Sequence, residues 1–248
     1  MRAYLAIVRV TLQQLLGGKR VLGLGSIALL PTLVMVLVTR DVSARAAYIE
    51  FHDAPLVILF LLALPIVALI FGAAALGDER REGTLSFLVT RPIPRSVIVA
   101  GKLTASWLAT FVVLGSAAAV AGVVLFTTAD TWSPLWALLV AAAVGAAAYT
   151  AVFLVLGHVT SRAVLIGLAY LFIWESGLTF AADSLGNVSL FRIALTAYAG
   201  IETAAIPLLQ EPLASLTPGA LGAAAKVVVI SGLAVVAGAT LLRRRDVT

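Results

Sequence analysis

Few side chains in this sequence are equipped for chemistry, and their spacing excludes more than it offers. The two histidines, His52 and His158, lie on different expected loops, which argues against an imidazole metal site. The chain has no cysteine, so disulfides, thiolate nucleophiles and thiolate zinc sites are excluded. No H-E-x-x-H and no G-x-S-G occurs, the signatures of a zinc protease and of a rhomboid-like serine site. Membrane proteases of the glutamate type set a Glu pair with histidines inside their spans, whereas here Glu79 and Glu82 are expected in the cytoplasm and both histidines on loops. Two features remain. One is a polar block at 77–95, GDERREGTLSFLVTRPIPR, and the other is a single carboxylate, Glu175, set in the apolar stretch YLFIWE at 170–175.

The elements that must position them are set by composition. Of 248 residues, 62% are hydrophobic and 12% charged, and the mean hydropathy is +1.10. A soluble domain is roughly half apolar and about a quarter charged. In lipid a spanning segment must be a helix or part of a closed barrel. A barrel alternates polar and apolar residues in pieces of about ten, whereas the apolar runs here are continuous. The fold expected is therefore an all-α membrane protein, a single domain over 1–248. Six runs have the ~20 residues a spanning helix needs: 21–39, 55–77, 103–126, 135–157, 163–182 and 223–242.

Basic residues collect on the cytoplasmic side of membrane proteins. With the N-terminus inside, Arg2, Arg9, Lys19, Arg20, Arg80, Arg81, Arg91, Arg95, Lys102, Arg162 and Arg243 to Arg245 all fall inside. Only Arg40, Arg45, Arg192 and Lys226 fall outside, and most acids join them. Both termini are thus expected in the cytoplasm, and so is the polar block. The net charge of +5 is explained by this placement, and nucleic acid is not an expected partner.

Arg2, Arg9, Gln13 and Arg20 share one helical stripe, beside a face of Leu5, Val8, Leu12 and Leu15. That pattern predicts a helix over 1–20 lying in the membrane interface. Between the fifth and sixth runs, 183–222 is too long for a turn. Its apolar pieces FRIALTAYAG and IPLLQEPLASL predict short helices dipping into the outer leaflet.

The block 78–102 has internal order. Asp78 and Glu79 suit the first turn of a helix. Leu85, Leu88 and Val89 recur at i, i+3, i+4 across 84–91, and Gly83 frees the backbone just ahead of them. Pro92 and Pro94 end the helix, and a new one starts at Arg95. A plain lipid-anchoring loop needs neither the acids nor an apolar helical turn, which in the cytoplasm would bury its face against another protein. Glu175 falls about twelve residues into the fifth run, about 18 Å along a helix. A carboxylate at such depth marks function by default. It reads equally as part of a pathway with Trp174 and Tyr170 or as a helix-pairing group bonded to Ser176, Thr179 or outer-loop backbone.

The block and the topology resemble the type-two exporter permeases of ABC transporters. Their loop has an acid-rich start, Glu-x-Gly-Thr-Leu, an apolar turn, a Pro-x-x-Arg corner and Gly-Lys. The chain approximates this with Glu79, Glu82-Gly83-Thr84-Leu85, Leu88, Pro92 to Arg95, and Gly101-Lys102, its glycine directly following Glu82. The resemblance extends to the whole topology and to YLFIWE. It implies a coupling helix docked on a separate ATPase subunit, with Asp78, Glu79, Arg80, Glu82, Gly83, Thr84, Leu85, Leu88, Arg91, Pro92 and Arg95 at the contact. It also implies two ATPase copies, which bind the ATP and Mg, and a second permease chain, identical or related, in the bacterial plasma membrane. The chain itself has no G-x-x-x-x-G-K-[ST] phosphate loop, so no cofactor and no catalytic residue are expected in it. An ion-coupled secondary transporter is the alternative, and an intramembrane enzyme a lesser one. Apolar walls and short outer loops lean toward an amphiphilic substrate.

Overall fold

The computed structural model describes residues 2–39, 42–81, 93–178, 183–213, 217 and 219–245, and every regular element among them is a helix. The chain starts with α1 (Arg2–Leu16) and α2 (Lys19–Val38). A continuous run then joins α3 (Ala44–Asp53), α4 (Pro55–Ile58), a π-helical segment (Leu59–Ala63) and α5 (Leu64–Arg81). Next come α6 (Arg95–Ala129), α7 (Ser133–Val159) and α8 (Ala163–Tyr170), the last continuing as a second π segment (Leu171–Leu178). Two 3-10 turns (Asp183–Val188 and Thr203–Leu208) flank α9 (Leu190–Ala199), followed by α10 (Gln210–Leu213) and α11 (Ala220–Arg245).

Five helical runs are long and apolar enough to cross a membrane: Lys19–Val38, Ala44–Arg81, Arg95–Ala129, Ser133–Val159 and Ala220–Arg243. The run expected over 163–182 appears as the shorter apolar helix Ala163–Leu178. The second span starts eleven residues earlier than hydropathy placed it, because α3 is amphipathic and passes into α4 with only Ala54 between. Pro94 immediately precedes α6, as a proline corner requires. At its far end Asp130 takes a left-handed conformation (φ 52°) that stops the helix.

Two expectations about histidine are corrected. His52 is buried within α3 and His158 within the last turn of α7, so neither is a loop residue. Hydropathy treats histidine as a helix interrupter, whereas here each ring is surrounded by packed neighbours. Among the described residues no three His, Asp or Glu side chains group to hold a metal.

The core lies where α5 and α7 cross, with α6 and α9 against them. That crossing is close because glycines remove side chains at the contact. A Cβ on Gly157 would fall 2.3 Å from the Ala73 carbonyl oxygen and 2.7 Å from Ala73 Cα. One on Gly72 would meet Phe153 Cβ at 3.1 Å. By contrast α2 and α11 turn apolar side chains outward, among them Leu22, Leu33, Leu221 and Leu233, as lipid-facing helices do. Helix α1 packs on the first turns of α6: Tyr4 and Thr104 share a 2.7 Å hydrogen bond, and Ile7 lies over Gly101. Arg2, Arg9, Gln13 and Arg20 remain exposed, so the polar stripe read from spacing is turned away from the bundle.

Gly157→Val should cost about 1–3 kcal/mol by overpacking a backbone contact, lowering the thermal midpoint of the solubilised protein. Gly23→Ala, with nothing within 4 Å of the added Cβ, should leave the midpoint unchanged. Equal midpoints for the two variants would show that the α5–α7 crossing tolerates separation.

Candidate functional site

The two features singled out by sequence lie at different ends of the bundle. Of the polar block, Asp78, Glu79 and Arg80 end α5 and Arg95 begins α6. Glu82, Gly83, Thr84, Leu85, Leu88, Arg91 and Pro92 lie outside the described residues. The base of the loop is built around a buried cation. Lys102, in the second turn of α6 and 1% exposed, donates from Nζ to the Ala75 carbonyl at 2.7 Å and to Glu79 Oε1 at 2.5 Å. A buried charge with its partner removed costs several kcal/mol, so this pair fixes the end of α5 to the start of α6. Two further contacts reach neighbouring helices. Arg20, at the start of α2, donates to Asp78 Oδ2 at 3.0 Å, and Asp78 also pairs with Arg81. Arg80 donates to the carbonyl oxygen of His158 at 3.0 Å, which ties α5 to the end of α7. These surface pairs are individually weak, but with the Lys102–Glu79 pair they connect four helices at the base of one loop.

Glu175 sits in the second π segment and is wholly buried. Its carboxylate faces the start of α9 and accepts at least four hydrogen bonds. Tyr170 Oη donates to Oε1 at 2.8 Å and Ser189 Oγ to Oε2 at 2.6 Å. The backbone N–H groups of Leu190 and Phe191 donate at 2.8 and 3.4 Å. The first amides of a helix have no partner within it, and an anion at that end also meets the positive end of the dipole. Ser189 adds the usual N-cap, its Oγ accepting from Arg192 N at 3.1 Å. Of the partners considered from sequence, backbone of the segment after the fifth run takes the role. Ser176 instead donates to Leu171 O, and Thr179 lies outside the described residues.

The other end of α9 is held by a network that sequence reading missed. Tyr48 Oη donates to Glu202 Oε1 at 2.7 Å. His52 Nδ1 lies 2.7 Å from the Tyr48 carbonyl, so that nitrogen carries a proton, and Nε2 lies 2.8 Å from Tyr198 Oη. The signal available was the i, i+4 spacing of Tyr48 and His52, which share a helix face only once α3 is recognised as a helix. With both ends held, every residue of α9 is buried, Arg192 included.

Tyr170 and Trp174 do not meet Glu175 in a common opening. They line a cavity of about 860 Å³ between α7, the π segment, α9 and α11, to which Lys226 also contributes and the Glu175 carboxylate does not. Of the three candidates for a pathway, two face open volume, and the third holds the wall behind them.

The described helices form a multi-pass membrane bundle with an ion-paired loop base. The family model for the ABC-2 family transporter proteins matches residues 5–242, and the chain belongs to that family as an ABC-2 type permease. No curated protein matches it at a comparable standard.

Glu175→Ala should leave the first amides of α9 unsatisfied and cost about 3 kcal/mol. Glu175→Gln, which keeps one acceptor oxygen, should fall between the two. Hydrogen exchange of the α9 amides in detergent reads this directly, with protection lost first at Leu190 and Phe191. Unchanged protection in Glu175→Ala would remove the capping role.

Proposed function

We infer that this chain is the membrane subunit of an ATP-driven exporter, working as a pair of permease chains with a separate ATPase subunit docked on 78–95. The observation that carries the reading is the Lys102–Glu79 pair. It joins α5 and α6 on either side of the loop, so a displacement applied to the loop moves both helices together. The family supplies the expectation of an ATPase partner, and the absence of a phosphate-binding motif from the sequence leaves ATP and Mg to that partner. The bias of basic residues supports a cytoplasmic side for the loop and both termini, and the resemblance to bacterial exporter permeases supports a bacterial plasma membrane.

Three of the contact residues have partners within the chain. Glu79 faces inward to Lys102, and Asp78 and Arg80 serve neighbouring helices. Docking then falls mainly to Glu82, Gly83, Thr84, Leu85, Leu88, Arg91 and Pro92, with Arg95 at the edge. The ion-coupled alternative draws on Glu175 alone, and the hydrogen bonds its oxygens accept count against a carboxylate that loads and releases an ion each cycle.

Glu82→Lys and Gly83→Pro should leave membrane yield unchanged while reducing co-purification of the ATPase subunit at least about tenfold, the effect of losing ~1.4 kcal/mol of contact. Glu79→Lys, which sets two cations together in a buried site, should instead lower the yield of folded protein. Normal ATPase recovery with Glu82→Lys and Gly83→Pro would mean the loop is not the docking site.

A further inference from the structure

The cavity lined by Tyr170 and Trp174 holds about 860 Å³, within the range of sites that take a whole small-molecule ligand. Its wall is almost entirely apolar. The Tyr170 hydroxyl is engaged by Glu175, so it is the ring that the side chain has to offer the volume. Val188 and Val229 border it and are 62% and 60% exposed, which opens the cavity on the outward face of the bundle. In a membrane that face meets lipid, so an occupant enters from the bilayer and not from water.

Among the described residues one charge lines this volume, and it is positive. Lys226 lies six residues into α11, about 9 Å from its start at a rise of ~1.5 Å per residue. No ion pair joins its amine to a carboxylate among the described side chains. A lysine at that depth extends its stem along apolar surface and its amine toward the headgroup level. The next twelve residues of α11 run toward Gly238, which packs on Val99 beside the loop base, some 18 Å away. The site therefore offers one cation near a helix end and apolar wall beyond it.

We propose that this cavity binds an anionic, lipid-like amphiphile, its headgroup at Lys226 and its chain against Tyr170, Trp174 and Val229. Recognition divides accordingly: apolar burial holds the chain, and the lysine selects the sign of the head. As a statement of what the permease moves, the proposal rests on the transport reading above. As a binding site it stands on the cavity alone, and its test needs neither ATPase nor transport. Failure of one can therefore be told from failure of the other.

The test is tryptophan quenching in phosphatidylcholine nanodiscs holding a small fraction of dibrominated phosphatidylglycerol, with dibrominated phosphatidylcholine as the comparison. The component due to Trp174 is the part of the quenching absent from Trp174→Phe. That component should favour phosphatidylglycerol about five-fold, what ~1 kcal/mol for a partly exposed charge pair gives. Lys226→Arg should retain the preference, and Lys226→Gln should bring it to the phosphatidylcholine level. Val229→Phe should weaken quenching by both lipids without changing the folded yield. Equal quenching by the two lipids in the unmodified protein, or a preference that survives Lys226→Gln, would overturn the proposal. So would efficient disulfide formation between copies of Val229→Cys with no quenching of Trp174, which would make this face a contact between two chains.

Discussion

Lipid offers a backbone amide no hydrogen-bond partner, so a helix that starts inside a membrane protein must find one in its own chain. The arrangement around α9 follows from that constraint. Ten residues, all buried, begin against α7 and α11, and the amides at their start are received by Glu175 from a different helix. At the far end Tyr198 meets His52, and Glu202 meets Tyr48. The cost of burying a carboxylate is offset by four donors arranged around it, which is the condition under which a buried polar group stabilises a fold instead of weakening it. Because α9 is held, its outer side can serve as a fixed wall of the cavity, and Tyr170 contributes to both.

A second buried charge does the corresponding work at the loop end. Lys102 has the Ala75 carbonyl and Glu79 as partners, and its position beside the loop makes α5 and α6 one mechanical unit there. The two charged sites are thus alike in construction and different in consequence. Glu175 organises a helix that lines open volume, whereas Lys102 organises the ends of two spans that bracket a polar loop. Between them the α5–α7 crossing, backbone against backbone at Gly157 and Ala73, leaves little slack to absorb a displacement. A tightly packed interior transmits strain, which is what a subunit driven from one end requires.

Much of the frame was legible from sequence. Continuous apolar runs located the long helices, and Pro94 marked the start of α6 because proline cannot continue a helix from inside. The stripe of Arg2, Arg9 and Gln13 gave the exposed face of α1, but the single helix expected over 1–20 ends at Leu16, and Arg20 belongs to α2 beyond Gly17 and Gly18. Hydropathy failed where burial is achieved by pairing and not by apolar character. It began the second span eleven residues late, since α3 carries Arg45, Glu50, His52 and Asp53, and it set both histidines on loops. It also could not separate the two roles of the 170–175 stretch, because spacing does not tell which side of a helix faces open volume. Charge bias counted Lys102 only among the inside basic residues, and it is the distance to Glu79 that shows it turned inward.

The central claim is that an ATPase subunit engages this permease at the loop between α5 and α6 and not at the opposite end of the bundle. The chain has no cysteine, so a single one can be placed without background. Ser86→Cys, in the loop, and Trp132→Cys, between α6 and α7 at the other end, carry a short thiol-to-amine cross-linker in membranes that hold the ATPase subunit. The account predicts a cross-linked ATPase band from Ser86→Cys, changed in yield by ATP, and none from Trp132→Cys. A band from Trp132→Cys with none from Ser86→Cys would contradict it.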